Sequence, residues 1–285
     1  MTIRFIRRTA RALAAVACLV VFAVPADAQL VLEPIKDSGQ NVYPAFEGWY
    51  QNSDGTYTLL VGYFNRNTKE TLDIPIGPEN RIEPGGPDQG QPTHFLAGRA
   101  WGAIAIKVPQ DFGDRKLTWT LTANGRTVSI PMGLTKGYQV EPFKDEAMGN
   151  TPPSIKLSET GPSLAGPPPP LSSAPTLTGT VGEAVNLTFW ITDDAFEDPP
   201  TSGRAAPPAR PRLTTIVSKY RGPGEVKIAA VTPEIEEGRA STTATFSLPG
   251  EYVIRIESND ASGVGGGGSQ CCWTTAYVKV NAKGR

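Results

Sequence analysis

The sequence predicts an all-β protein: two antiparallel β-sandwich domains joined by a proline-rich linker, behind a cleaved signal peptide. Three observations predict it. Apolar and polar residues alternate with a period of two in run after run, and helical periodicity is missing from the same stretches. Thirty glycines and 27 prolines punctuate the 285 residues, which marks many turns and few long helices.

The signal peptide is read over residues 1–28. Arg4, Arg7, Arg8 and Arg11 precede the uncharged apolar run Ala12–Val24, and Ala26-Asp27-Ala28 supplies small residues flanking one position, the pattern signal peptidase cuts after. The run is shorter than the roughly 20 apolar residues a membrane helix needs. Two alternatives are an uncleaved anchor and a lipoprotein cut before Cys18. Against the second, Ala15-Val16-Ala17 lacks the leucine usual there, and apolar sequence continues past Cys18. The mature chain is expected to begin near Gln29 and to be periplasmic or secreted. No later segment is long and apolar enough to be a transmembrane helix.

Residues 1–28 carry four arginines and one aspartate, so the mature chain holds 23 basic against 27 acidic side chains, a net charge of −4. No basic stretch runs along it, which argues against nucleic acid or an anionic membrane surface as partner. One histidine, His94, excludes most catalytic triads and most zinc sites.

The linker is read over residues 136–176, where nine of 41 residues are proline and Pro167–Pro170 is an unbroken run. Proline fixes φ and removes a donor, so this stretch reads as extended and semi-rigid. It separates an N-terminal sandwich, 29–135, from a C-terminal one, 177–285. Each is about the size of a common sandwich domain.

In the N-terminal part, Leu117, Trp119 and Leu121 alternate with threonines, Asn124-Gly125 forms a tight turn, and Val128, Ile130 and Met132 alternate again, predicting a hairpin. Asp54-Gly55 predicts a second, between Phe46–Tyr50 and Tyr57–Phe64, and Ala103–Val108 a further strand. In the C-terminal part, strands are predicted over Val185–Ile191, Leu213–Ser218, Glu225–Ala229, Ala240–Leu248, Glu251–Glu257 and Trp273–Val280.

The C-terminal part also carries "YRGPGEVKI" and "TTATFSLPGEYVIRIESND", with Gly222-Pro223-Gly224, Phe246, Pro249, Gly250, Tyr252, Ile254, Ile256 and Asp260 at the positions that matter. In these residues it resembles the PKD and Ig-like extracellular β-sandwich modules over about 100 residues. The resemblance implies an Ig-like fold; such modules serve as spacers, adhesins and carbohydrate-binding accessories alike, so it selects no function. The chain departs from that pattern by inserting Asp193–Arg212 and by placing Cys271-Cys272 before the last strand. The N-terminal part, with "FEGWYQNSDGTYTLLVGYFNRN" and "PGGPDQGQPTHF", resembles a family of exported bacterial proteins of uncharacterised function, from which no active residue carries over.

Four features are candidates for chemistry. Cys271 and Cys272 are the only cysteines of the mature chain, and export favours their oxidation. They are read as a vicinal disulfide acting as a turn clamp, or as a rigid platform beside Trp273 that stacks on a ligand, or as a redox or metal site. Asp193, Asp194, Glu197 and Asp198, with Asp260 on another strand end, are oxygen ligands of the kind calcium takes; Asp193, Asp194 and Asp260 are the candidate calcium ligands. The spacing matches no EF-hand, and a solvated acidic loop explains it equally. The aromatic set Trp49, Tyr50, Tyr57, Tyr63, Phe64 and Trp101 reads first as core, second as a stacking face. The loop Pro84–His94 gathers Asp88, Gln91 and His94, which with Trp273 are the candidate ligand-binding residues; it reads otherwise as a cover over one open end of a sandwich.

Two functions follow. One is a non-catalytic binding or structural module of the cell envelope, its sandwiches held apart by the linker and its partner an envelope polysaccharide or protein. The other is a glycan-acting hydrolase using paired carboxylates, for which Glu47, Asp73 and Asp88 are candidates that no spacing selects. Neither Gly-x-Ser-x-Gly nor His-Glu-x-x-His occurs, and no cofactor other than calcium is suggested.

Overall fold

The computed structural model describes residues 34–141, 149–194, 213–262 and 271–284. The signal peptide, Glu197, Asp198 and the glycines 265–268 fall outside the described residues. Within them the chain is almost entirely β.

The first half contains β1 (Val42–Gln51), β2 (Tyr57–Asn65), β3 (Leu72–Asp73), β4 (Asn80–Glu83), β5 (His94–Phe95), β6 (Gly98–Val108), β7 (Leu117–Ala123) and β8 (Arg126–Met132). Two antiparallel three-stranded sheets, β1-β2-β6 and β4-β7-β8, enclose one core, and β3 pairs with β5 beside it. The alternation explains the packing: Leu117 and the fully buried Trp119 and Leu121 point inward, and Asn124 and Gly125 turn with positive φ into β8. Trp119 Nε1 donates to Asn80 Oδ1 at 3.0 Å, and the Asn80 amide in turn donates to the Ile74 and Pro92 carbonyls. A buried indole is thereby satisfied, and the loop before His94 is anchored to the core.

The second half contains β9 (Ser154–Lys156), β10 (Leu164–Ala165), β11 (Thr176–Thr180), β12 (Ala184–Thr192), β13 (Thr214–Arg221), β14 (Val226–Ile228), β15 (Ile235–Glu236), β16 (Arg239–Phe246), β17 (Gly250–Asn259) and β18 (Trp273–Lys283). A six-stranded sheet, β10-β9-β12-β16-β14 with β15 also on β16, faces the four-stranded sheet β11-β18-β17-β13 across a second core. Pairing is antiparallel except between β11 and β18, which run parallel. The glycine–proline–glycine segment has a packing reason: a Cβ on Gly222 would lie 2.0 Å from the Tyr252 ring, whose hydroxyl donates to the Leu248 carbonyl at 2.9 Å.

Two expectations change. The stretch 136–176 is not linker throughout: β9 and β10 lie inside it and pair within the six-stranded sheet, and β11 begins at its end. Prolines did not prevent this, because these strands are two or three residues long and β10 sits at the sheet's rim, where a missing donor costs little. Nor are the sandwiches held apart, for Ile35–Arg285 is one compact unit.

Candidate functional site: the seam between the sandwiches

The four-stranded sheet turns its second face to the N-terminal sandwich, and a β-bulge organises the contact. In β13 the register slips between Lys219 and Arg221, leaving Tyr220 unpaired against β17. A bulge re-aims side chains that strict alternation would send to opposite faces. Here three consecutive residues all reach the first half. Lys219 Nζ donates to Asp73 Oδ1 at 2.8 Å, the Tyr220 hydroxyl lies 2.7 Å from the Gly90 carbonyl and 3.0 Å from that of Ala103, and the Arg221 guanidinium grips Asp88 through two bonds of 2.9 and 2.8 Å. Arg221 Nε also donates to the Gln91 carbonyl, and the Thr93 amide to the Tyr220 carbonyl.

Along β17 the same face carries Val253, Arg255 and Glu257. Arg255 and Glu257 are buried and paired with each other, and Arg255 Nη2 donates to the Trp101 carbonyl at 3.2 Å. Across the seam Glu47 accepts from Arg99 Nη2 at 2.5 Å and from the Gly102 amide at 2.7 Å, while the Arg99 guanidinium stacks 4.1 Å above the Trp101 ring. The Tyr277 hydroxyl joins that of Tyr220 on the Ala103 carbonyl, 3.0 Å away. At one end Trp273 packs on Leu60 and Trp101. It lies against Gly102, where a Cβ would come within 2.8 Å of the indole and where φ is +47°.

Burial and pairing set the charges. Burial pushes the Glu47 carboxyl up, with the Arg99 charge and the Gly102 amide pulling it back only in part. Burial pushes Tyr63 up to about 12. The Arg221 guanidinium holds Asp88 below the ordinary carboxylate value. Burial acts to raise Asp73, but hydrogen bonds from His94 and Lys219 outweigh it and hold it low.

All four candidate ligand-binding residues therefore sit in this seam. Asp88 is clamped by Arg221. Gln91 is fully buried, accepting from the Gln89 amide and donating to the Pro87 carbonyl. His94 Nδ1 lies 3.0 Å from Asp73 Oδ1. Trp273 has no exposed surface, so it offers no stacking platform. The loop Pro84–His94 docks on the other half of its own chain.

Cys271 and Cys272 are joined to each other and are both buried. Their ring is not presented to a ligand, which removes the platform reading. The calcium trio does not assemble: among the described residues no group of three or more His, Cys, Asp or Glu side chains gathers as a metal site. Asp194 instead accepts from the Thr151 amide and hydroxyl, and Asp260 from Asn150 Nδ2 at 2.7 Å and the Ser262 amide. Trp49 and Tyr63 belong to the first core, whereas Phe64 is partly exposed to solvent, at 43%. Beside the seam lies an open cleft of about 540 Å³, walled by Ile104–Lys107, Pro168–Ser172 and Tyr277.

Sequence reading missed Lys219, Tyr220, Arg221, Arg255 and Glu257. The signal was present in "SKYR" and in the second face of "EYVIRIESN", but charge alternating with apolar residues reads as a solvated face.

No family model matches the chain, and no curated protein matches it. Solved structures similar to it include domains 4 and 5 of the S-layer protein SbsC, at 11% identity over 85% of this chain and 98% of that one, TM-score 0.24. The D0-D1 domain of Intimin gives 12% identity, 85% and 98% coverage and TM-score 0.24. The titin Ig tandem domains A164-A165 give 9%, 86%, 100% and 0.21. TM-scores of this size carry no argument; the architecture stands on the strand pairing and the two cores. No described helix is long and apolar enough to cross a membrane.

Proposed function

We propose that the mature chain is an exported, non-catalytic module of the cell envelope that works as one rigid two-sandwich body, with a polysaccharide or protein of the envelope as partner. The observation that carries this reading is the seam. The three carboxylates that a hydrolase would draw on, Glu47, Asp73 and Asp88, are each held by a basic partner there: Arg99, Lys219 with His94, and Arg221. Asp73 and Asp88 join one half to the other and Glu47 is buried against Arg99 within the first half, so all three are poorly placed to act as acid and base on a substrate. A stiff joint suits a protein that presents a surface at a fixed distance.

The test is small-angle X-ray scattering of the mature protein, with the same sample incubated with envelope polysaccharide and assayed for new reducing ends. A single compact particle and no new ends support the proposal. Two particles on a flexible tether, or release of chain ends, overturn it.

A further inference from the structure

The outer face of the six-stranded sheet is the other large surface of the C-terminal sandwich, and it holds a tryptophan that no core claims. Register places Lys156, Trp190, Arg239 and Glu236 side by side on four neighbouring strands, since Trp190 pairs with both Lys156 and Arg239, and Arg239 with Glu236. Directly paired residues share a face. The next rows are Thr188 beside Ser241 and Asn186 beside Thr243. Trp190 is partly exposed, belongs to neither hydrophobic core and makes no ring contact among the described residues. It borders a depression of about 980 Å³ that adjoins another of about 460 Å³, the two sharing Ala230, Arg239 and Ser241. Together they form a shallow trough along the strands.

We propose that this trough binds a neutral, hydroxyl-rich glycan chain. The ring of Trp190 offers a stacking surface for the C–H face of a sugar, held between two strands at little cost in side-chain freedom. Asn186, Thr188 and Ser241 then supply donors and acceptors along the trough, the mixture of an apolar anchor with a few polar groups that orients a small ligand. Charge chooses among glycans. The trough and its rim carry three cations, Lys156, Lys227 and Arg239, and three carboxylates, Glu234, Glu236 and Glu237, none in an ion pair with another described residue. A polyanion meets the glutamates and a polycation the lysines and arginine, whereas a neutral chain meets only hydrogen-bonding partners. This names the partner of the envelope module proposed above and rests on that reading. Scattering can overturn the rigid body without any glycan, and titration can empty the trough without touching the seam.

The experiment is calorimetric titration of the mature protein with four hexasaccharides: cellohexaose and N-acetylchitohexaose as neutral chains, the glucosamine hexamer and the galacturonate hexamer as charged controls. The expected result is saturable binding of at least one neutral chain, about tenfold or more weaker in Trp190→Ala. Asn186→Ala combined with Ser241→Ala should weaken it too, with the melting temperature of each variant showing that the fold persists. Indole resonances followed by NMR would assign the contact to Trp190 even if that variant folds poorly. Binding of a charged hexamer alone, equal binding by the variants, or no binding of either neutral chain overturns the proposal.

Discussion

The two sheets of the C-terminal sandwich are written in the same alternating pattern and meet opposite environments. In the six-stranded sheet, Phe189 and Ile191 point into the core while Asn186 and Thr192 face water. In the four-stranded sheet, Tyr252, Ile254 and Ile256 fill the same core, but the alternate residues Val253, Arg255 and Glu257 are buried as well, under the N-terminal sandwich. Alternation thus reports which residues share a face, and not whether a face is wet. What distinguishes the sheets is the quality of pairing: buried charges must find partners, and Arg255 and Glu257 find each other.

The largest expected effect lies at the end of the seam. Replacing the fully buried Trp273 by alanine removes an indole that fills the space over Gly102 and should cost about 3–5 kcal/mol, read by urea unfolding. A cost below about 1 kcal/mol would show that the seam is loosely packed and that the second face is only nominally buried. Gly102→Ala attacks the same contact from the other side, against backbone at positive φ, and should destabilise in the same assay.

Next is the buried pair at the centre. Arg255→Ala strands the Glu257 carboxylate, a loss of about 3 kcal/mol or more. The paired replacement Arg255→Met with Glu257→Leu should recover most of it, because the pair offsets its own desolvation rather than adding much net stability. Equal losses in the single and the double variant would mean that Arg255 acts through the Trp101 carbonyl and not through Glu257.

How much of this was legible follows from where the information sits. The hairpin 117–132 was readable because alternation, turn chemistry and core placement agree within sixteen residues. The tight turn at Asp54-Gly55 likewise joins β1 to β2. The short strands β9, β10 and β15 were not, since two or three residues show no period and proline argues against them. The polar composition of the loop, with Asp88, Gln91 and His94, marks it as special but does not show what it meets in the fold. The Asp88 carboxylate and the Gly90 and Gln91 carbonyls are taken by Arg221 and Tyr220, and Asp73 beside His94 by Lys219, all more than a hundred residues away, a pairing that the bulge creates and local sequence cannot carry. Trp190 escaped notice because a tryptophan between Phe189 and Ile191 reads as one more core residue.

A smaller effect belongs to the rim. Asp88 and Arg221 form a bidentate pair, yet half of the Asp88 side chain is exposed, so Asp88→Ala should cost about 1 kcal/mol or less. Its mark should be clearer against pH. Asp88 and Asp73 have depressed folded values, so their contribution is fully present above the ordinary 3.8 and is lost as pH falls through the lower folded values. Glu47, raised, works in the opposite sense: its penalty is absent below its ordinary 4.5 and grows as pH rises past that value. Acid unfolding of wild type should therefore steepen below the ordinary carboxylate range, and Asp88→Ala should flatten it there while leaving neutral pH nearly unchanged. A variant whose acid limb superimposes on that of wild type would remove Asp88 from the seam's energetics.

The smallest expected change in stability is at the tryptophan of the open face. Trp190→Ala leaves both cores intact, so it should cost about 1 kcal/mol or less, against several for Trp273→Ala in the same chain. Both indoles stand on strands of the same sandwich and differ in what lies above them: Gly102 and a second sandwich over Trp273, an open trough over Trp190. Equal costs would mean that Trp190 is as deeply engaged in folding as the seam, and the outer face would then be a packed surface with nothing to offer a ligand. A large difference leaves an aromatic kept on a polar face with little folding role, which is the condition a binding surface requires.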